Sequence, residues 1–153
     1  METPVVKVAL IGAGHVGSAV AALLQDDNRV DMLVDAAGAR LELVAVAVRD
    51  ATKSRPAIPT ALITNDAQSL AESDAVDILV EVAGGVDPTR SFIESALRRG
   101  TTVVTANKAL MASDGTELVR LAQKHRTDLF YEGAVAGGIP ILRALRTSLA
   151  GTS

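Results

Sequence analysis

Short apolar runs alternate with helix-period segments along the whole chain, and no other feature narrows the fold as far. Val5 to Ile11, "LELVAVAV", "VDILVEVA", "TTVVTA" and "DLFYEG" read as strands. The longer runs are apolar on successive residues rather than on alternate ones, which is the mark of strands covered on both faces. A strand, a helix and another strand in regular succession demand a crossover each time, so the strands lie parallel. The expected fold is α/β, Rossmann-like and doubly wound, with a mostly parallel sheet and helices on both faces. Residues 1–153 form one such domain. The 2% aromatic content against 48% hydrophobic residues means that its core is built from Ala, Val, Leu and Ile.

The helices are read from period and caps. The first carries Val16, Val20, Leu23 and Leu24 on one face. "DDNRVDMLVDAAG" makes a second, closed by Gly38. Asp66 to Ser73 makes a short one. Asp87 is expected as an N-cap with Pro88 in the first helical position, ahead of a stripe of Phe92, Ile93, Ala96 and Leu97 that ends at Gly100. Asp114 and Glu117 have capping-box spacing for a helix carrying Leu118, Leu121 and Ala122. Pro140 opens a last helix with Ile141, Leu142, Leu145 and Leu149.

The chemistry begins at "VALIGAGHVGSAV". Gly12, Gly14 and Gly17 follow a buried strand and open a helix in the G-x-G-x-x-G spacing. In that context Gly12 permits the turn, Gly14 lets the backbone approach a pyrophosphate, and Gly17 lets helix and strand pack closely. The free amides of the helix start, from His15 and Val16 onward, face the anion. The second strand ends "AVAVRD". Arg49 stands where an NAD site carries a carboxylate, and Lys53 and Arg55 follow, which suits the 2′-phosphate of NADP. Asp50 keeps NAD open, because it could reach a ribose. Ligands in open parallel sheets lie outside the carboxyl ends of the strands. The loops "EVAGG" with Gly84, "TANKAL" with Thr105, Asn107 and Lys108, and "EGAVAGGIP" all follow strands and should share one crevice with the Gly-rich turn.

Other classes are disfavoured. Net charge is −3 without a long run of either sign, so neither nucleic acid nor a membrane surface is indicated. There are no cysteines, and His15 and His125 are the only histidines, which excludes thiolate and multi-histidine metal centres. The first residues run straight into a strand, with neither signal-peptide layout nor a membrane-length apolar run, so a cytoplasmic protein is expected.

"GAGHVG", "VAVRD", "VEVAGG", "VVTANKALMA" and "EGAVAGGIPILRALRTSLAG", in this order and spacing, resemble the N-terminal half of homoserine dehydrogenase across essentially the whole chain. The first motif is common to many families; the last three together are specific. The resemblance implies NAD(P)-dependent interconversion of L-homoserine and L-aspartate 4-semialdehyde, serving threonine, methionine and isoleucine synthesis. It places Lys108 beside the nicotinamide and substrate, where a cation could stabilise alkoxide character; by itself, a lysine just after a strand is more often a surface residue. It also matches Glu132, Val135, Gly137 and Ile139 to a loop that binds sodium through backbone carbonyls. A Gly-rich turn holding water is the equal alternative there. A substrate-binding and dimerising region is expected after residue 153, so the chain is expected to bind cofactor with little or no turnover, within a homo-oligomeric enzyme. The competing readings are a non-catalytic nucleotide-binding module, another amino-acid or semialdehyde dehydrogenase, and a structural domain whose glycines serve packing only.

Overall fold

A computed structural model describes residues 2–136. Six strands form one sheet in the order β3-β2-β1-β4-β5-β6: β1 Val5–Ile11, β2 Arg40–Ala47, β3 Ile63–Thr64, β4 Ile78–Glu81, β5 Thr102–Thr105 and β6 Leu129–Phe130. Every pairing is parallel. The helices are α1 His15–Leu24, α2 Asp27–Ala37, α3 Ala67–Ala71, α4 Thr89–Arg98, α5 Lys108–Lys124 and α6 Glu132–Ala136. This is the doubly wound order in which the direction of winding reverses between β1 and β4.

The period-two geometry of a strand sorts the apolar residues into two cores. Val8, Leu10, Leu41, Leu43, Ile78 and Val80 face one side and meet Val20, Ala21 and Leu24 of α1. Ala9, Ile11, Leu79 and Val103 face the other and meet α4 through Ile93, Ala96 and Leu97 and α5 through Leu110 and Leu118. A register shift between Val8 and Ala9 lets β2 carry one extra residue against β1.

Several local expectations need correction. On α1 the buried face is Gly17, Val20, Ala21 and Leu24, while Val16 and Leu23 are 49% and 39% exposed. Gly17 and Ala21 are small enough to let the helix sit close, and Val20 and Leu24 fill the core beside them. Asp87 does not cap α4: Pro88 is the N-cap, the helix begins at Thr89, and the Asp87–Pro88 bond is cis. Thr89 is drawn inward instead, its hydroxyl donating to the Gly84 carbonyl at 3.1 Å.

Asp114 and Glu117 are not a capping box either. They lie inside α5, which starts earlier because Asn107 caps it, the Leu110 amide donating to Asn107 Oδ1 at 3.1 Å. Both acids serve a tertiary contact. Arg90 of α4 reaches Glu94 at 2.8 Å, Glu117 at 2.8 Å and Asp114, tying the two helices together. The short strand β3, after a 3-10 turn at Thr60–Leu62, was not legible in the polar loop. Gly38 and Gly100 close α2 and α4 as expected, with φ of 71° and 82°. The last helix expected from Pro140 lies outside the described residues.

Candidate dinucleotide site

The Gly-rich turn joins β1 to α1 at the winding reversal, and each glycine meets a different constraint. Gly12 has φ of 103°, and a Cβ there would lie 2.6 Å from the Ala83 nitrogen in the loop after β4. A Cβ on Gly17 would lie 2.2 Å from the Gly12 carbonyl oxygen. Both positions are closed to any side chain by the protein itself. Gly14 is different: a Cβ there would meet nothing within 4 Å. It is exposed, stands at the N-cap of α1 and supplies no side-chain cap. The amides of a helix's first turn have no intrahelical acceptor, so this open position presents donors and the positive end of the helix dipole. His15 and Val16 are exposed beside it.

The next two loops are linked to one another and to this turn. Glu81 ends β4 and is fully buried. The Ala83 and Gly84 amides donate to its Oε1 at 2.9 and 3.0 Å, and the Thr105 hydroxyl donates to its Oε2 at 2.7 Å. Thr105 Oγ1 in turn accepts from the Asn107 amide at 3.1 Å, and Asn107 Nδ2 donates to the Gly85 carbonyl. Buried polar groups are costly unless satisfied, so this chain of bonds holds the loops after β4 and β5 in fixed relation. Sequence reasoning missed Glu81. The signal was available: an acid closing the otherwise apolar run "ILVE".

These bonds also define what the predicted site residues can offer. The Gly84 amide is taken by Glu81, and its Cα faces open space, where an added Cβ would meet nothing within 4 Å. Thr105 and Asn107 are buried and spend their side chains on the loops. Lys108, by contrast, is exposed at the first position of α5. A cation there opposes the helix dipole, so helix stability does not account for it. It borders a groove shared with Met111, Gly115, Thr116, Tyr131 and Ala134.

In the loop after β2, Arg49 and Lys53 are exposed and their side chains make no hydrogen bond or ion pair among the described residues. Asp50 is engaged within its own loop: the Thr52 amide and hydroxyl donate to its Oδ1 at 3.0 and 2.6 Å. Those bonds, with a smaller contribution from the charge of Arg55, hold the Asp50 carboxyl below its ordinary range. Of the four residues matched to a cation loop, Glu132 and Val135 lie in α6, while Gly137 and Ile139 lie outside the described residues. No helix among the described residues is long and apolar enough to cross a membrane.

Comparison with known proteins agrees with this geometry. Residues 12–132 match the family model described as homoserine dehydrogenase, NAD binding domain. A homoserine dehydrogenase of Mycobacterium tuberculosis is 45% identical over 150 residues, which cover 98% of this chain and 33% of that protein. That of Corynebacterium glutamicum is 44% identical over 95% of this chain and 32% of its own length. The solved homoserine dehydrogenase of Thiobacillus denitrificans superposes with a TM-score of 0.80 at 34% identity, over 96% of this chain and 34% of that one. A hyperthermophilic archaeal homoserine dehydrogenase in complex with NADPH shares the fold, with a TM-score of 0.63 at 22% identity, over 85% of this chain and 44% of that one. The chain spans about a third of the length of the curated relatives it matches. With the sheet order, the glycine turn and the family match in agreement, the chain belongs to the homoserine dehydrogenase NAD-binding domain family.

Proposed function

We propose that this chain is the dinucleotide-binding part of a homoserine dehydrogenase, an enzyme that interconverts L-homoserine and L-aspartate 4-semialdehyde with NADP, or with NAD as the weaker cofactor. The observation that carries the reading is the contrast among the three glycines. Packing accounts for Gly12 and Gly17, whereas Gly14 faces open space at a helix N-terminus. A structural turn has no use for that third glycine; a pyrophosphate does.

In this reading the amides of α1 hold the pyrophosphate, with His15 and Val16 alongside. Arg49 and Lys53 hold the 2′-phosphate, as a guanidinium fork with a neighbouring cation would. Gly84 and the Thr105–Asn107 loop shape the wall at the nicotinamide end. The dinucleotide, when bound, accepts or supplies the hydride. Lys108 steadies a substrate or cofactor oxygen and favours alkoxide character there. The hydroxyl proton needs an acid or base within hydrogen-bond reach. Glu81 is buried and committed to its loops, and the resemblance assigns that group to the substrate-binding and dimerising region of the longer enzyme. A sodium ion on the carbonyls of Glu132, Val135, Gly137 and Ile139 is a further part of the proposal. So are a cytoplasmic setting and a homo-oligomeric enzyme.

Calorimetric titration of the purified chain with NADPH and, in parallel, NADH tests the reading. NADPH is expected to bind more tightly, and homoserine is expected to give little or no turnover. Absence of binding by either dinucleotide would overturn the proposal.

A further inference from the structure

The loop after β2 holds both signs of charge within a few residues, and the structure treats them differently. The Arg49 and Lys53 side chains reach solvent without partners among the described residues. Asp50 Oδ1 accepts both the amide and the hydroxyl of Thr52. Arg55 Nη1 donates to the carbonyls of Asp50 and Lys53, each at 2.8 Å, and so braces the turn. From the other side, Gln25, which follows α1, donates to the Ala57 carbonyl at 2.8 Å. The loop is thereby anchored to the helix that follows the phosphate turn.

Resting on the dinucleotide reading above, we infer that Thr52 is a specificity-determining positioning residue: by occupying Asp50 it withholds that carboxylate from the cofactor ribose and leaves the Arg49 guanidinium to select a 2′-phosphate. A carboxylate that reads a ribose accepts its hydroxyl protons. With Oδ1 already accepting twice, only Oδ2 is left for a ribose, so the carboxylate cannot offer one oxygen to each of two adjacent hydroxyls. A carboxylate turned toward the ribose would also repel a 2′-phosphate at close range. Thr52 removes both effects without removing the acid. The preference for one dinucleotide is then set by a residue that touches neither.

The test measures the ratio of the NADH to the NADPH dissociation constant for the wild-type chain, T52S, T52V, D50A and the D50A/T52V double variant. T52S keeps the hydroxyl and should keep the ratio within about twofold of wild type. T52V loses the hydroxyl bond and keeps only the amide bond at position 52, so it loosens Asp50 and should lower the ratio about fivefold, chiefly by tightening NADH. In the D50A background the same change should move the ratio less than about twofold. Equal ratios for T52S and T52V would overturn the inference, and so would a T52V shift that persists without Asp50. A wild-type chain that binds NADH as tightly as NADPH refutes this inference and the NADP preference, and leaves the dinucleotide reading standing. One that binds neither refutes the dinucleotide reading and this inference with it.

Discussion

Gly12, Gly14 and Gly17 share a motif but not a reason. Gly12 and Gly17 are held by the protein, with backbone atoms 2.6 and 2.2 Å from where a Cβ would lie. Gly17→Ala is therefore expected to destabilise the fold by about 1–3 kcal/mol, since overpacking against backbone cannot relax cheaply. Chemical denaturation would show it as a lower midpoint. Gly14→Ala meets no protein atom, so its denaturation midpoint should stay close to wild type while dinucleotide binding weakens at least tenfold, as the methyl enters the space of the ligand. Retained affinity in Gly14→Ala would show that the ligand does not approach Gly14 closely. The three glycines were readable as a motif; which of them belongs to the ligand required the neighbouring loop after β4.

At the scale of elements, α5 shows how a tertiary contact overrides a local signal. Asp114 and Glu117 have the spacing of a capping box, yet the helix begins at Lys108 under the Asn107 cap, and the two acids bind Arg90 across the α4–α5 interface. Sequence spacing cannot tell a cap from a cross-helix ion pair, because both use acids three residues apart. Asn107 carries more than the helix: its Nδ2 also holds the Gly85 carbonyl. Asn107→Ala should cost about 1–2 kcal/mol from the lost cap and the orphaned loop carbonyl, seen as a lower thermal midpoint. Cofactor binding should weaken as well, because the β4 and β5 loops lose their link. A variant that loses stability but binds the dinucleotide normally would separate the cap from the site.

For the whole molecule, the α4–α5 network predicts a pH dependence. The Glu94 carboxyl is held below its ordinary value of 4.5, first by the hydrogen bond from Arg90 and then by that from Arg98. A carboxyl whose folded value is depressed contributes stability that is complete above its unfolded value and is lost as pH falls through the folded one. The thermal midpoint of the wild-type chain should thus fall on acidification from just above 4.5 downward. Glu94→Gln should be less stable near neutrality and show a flatter profile across that window; an unchanged slope would place the acid sensitivity elsewhere. Ligand binding is expected to act on the same global transition. At a hundredfold excess of NADPH over its dissociation constant, stability should rise by about 2.7 kcal/mol, and by less with NADH at equal concentration.

The alternating apolar runs determined the α/β class, the parallel pairing and the first strand to the residue, because strands buried on both faces show no polar side, as β1 does over its last four residues. The glycine spacing placed the phosphate turn, and the motif order carried the family, since both are local properties of the chain. Contacts between distant segments had to come from the tertiary structure. They set which face of α1 is buried, the short β3, the start of α5, and the role of Glu81 as the tie between loops 24 residues apart. They also revealed that Asp50 is engaged while Arg49 is not, a distinction invisible in "VRDATK". A residue's type limits which bonds it can make, and only the folded chain decides which of those partners comes within reach.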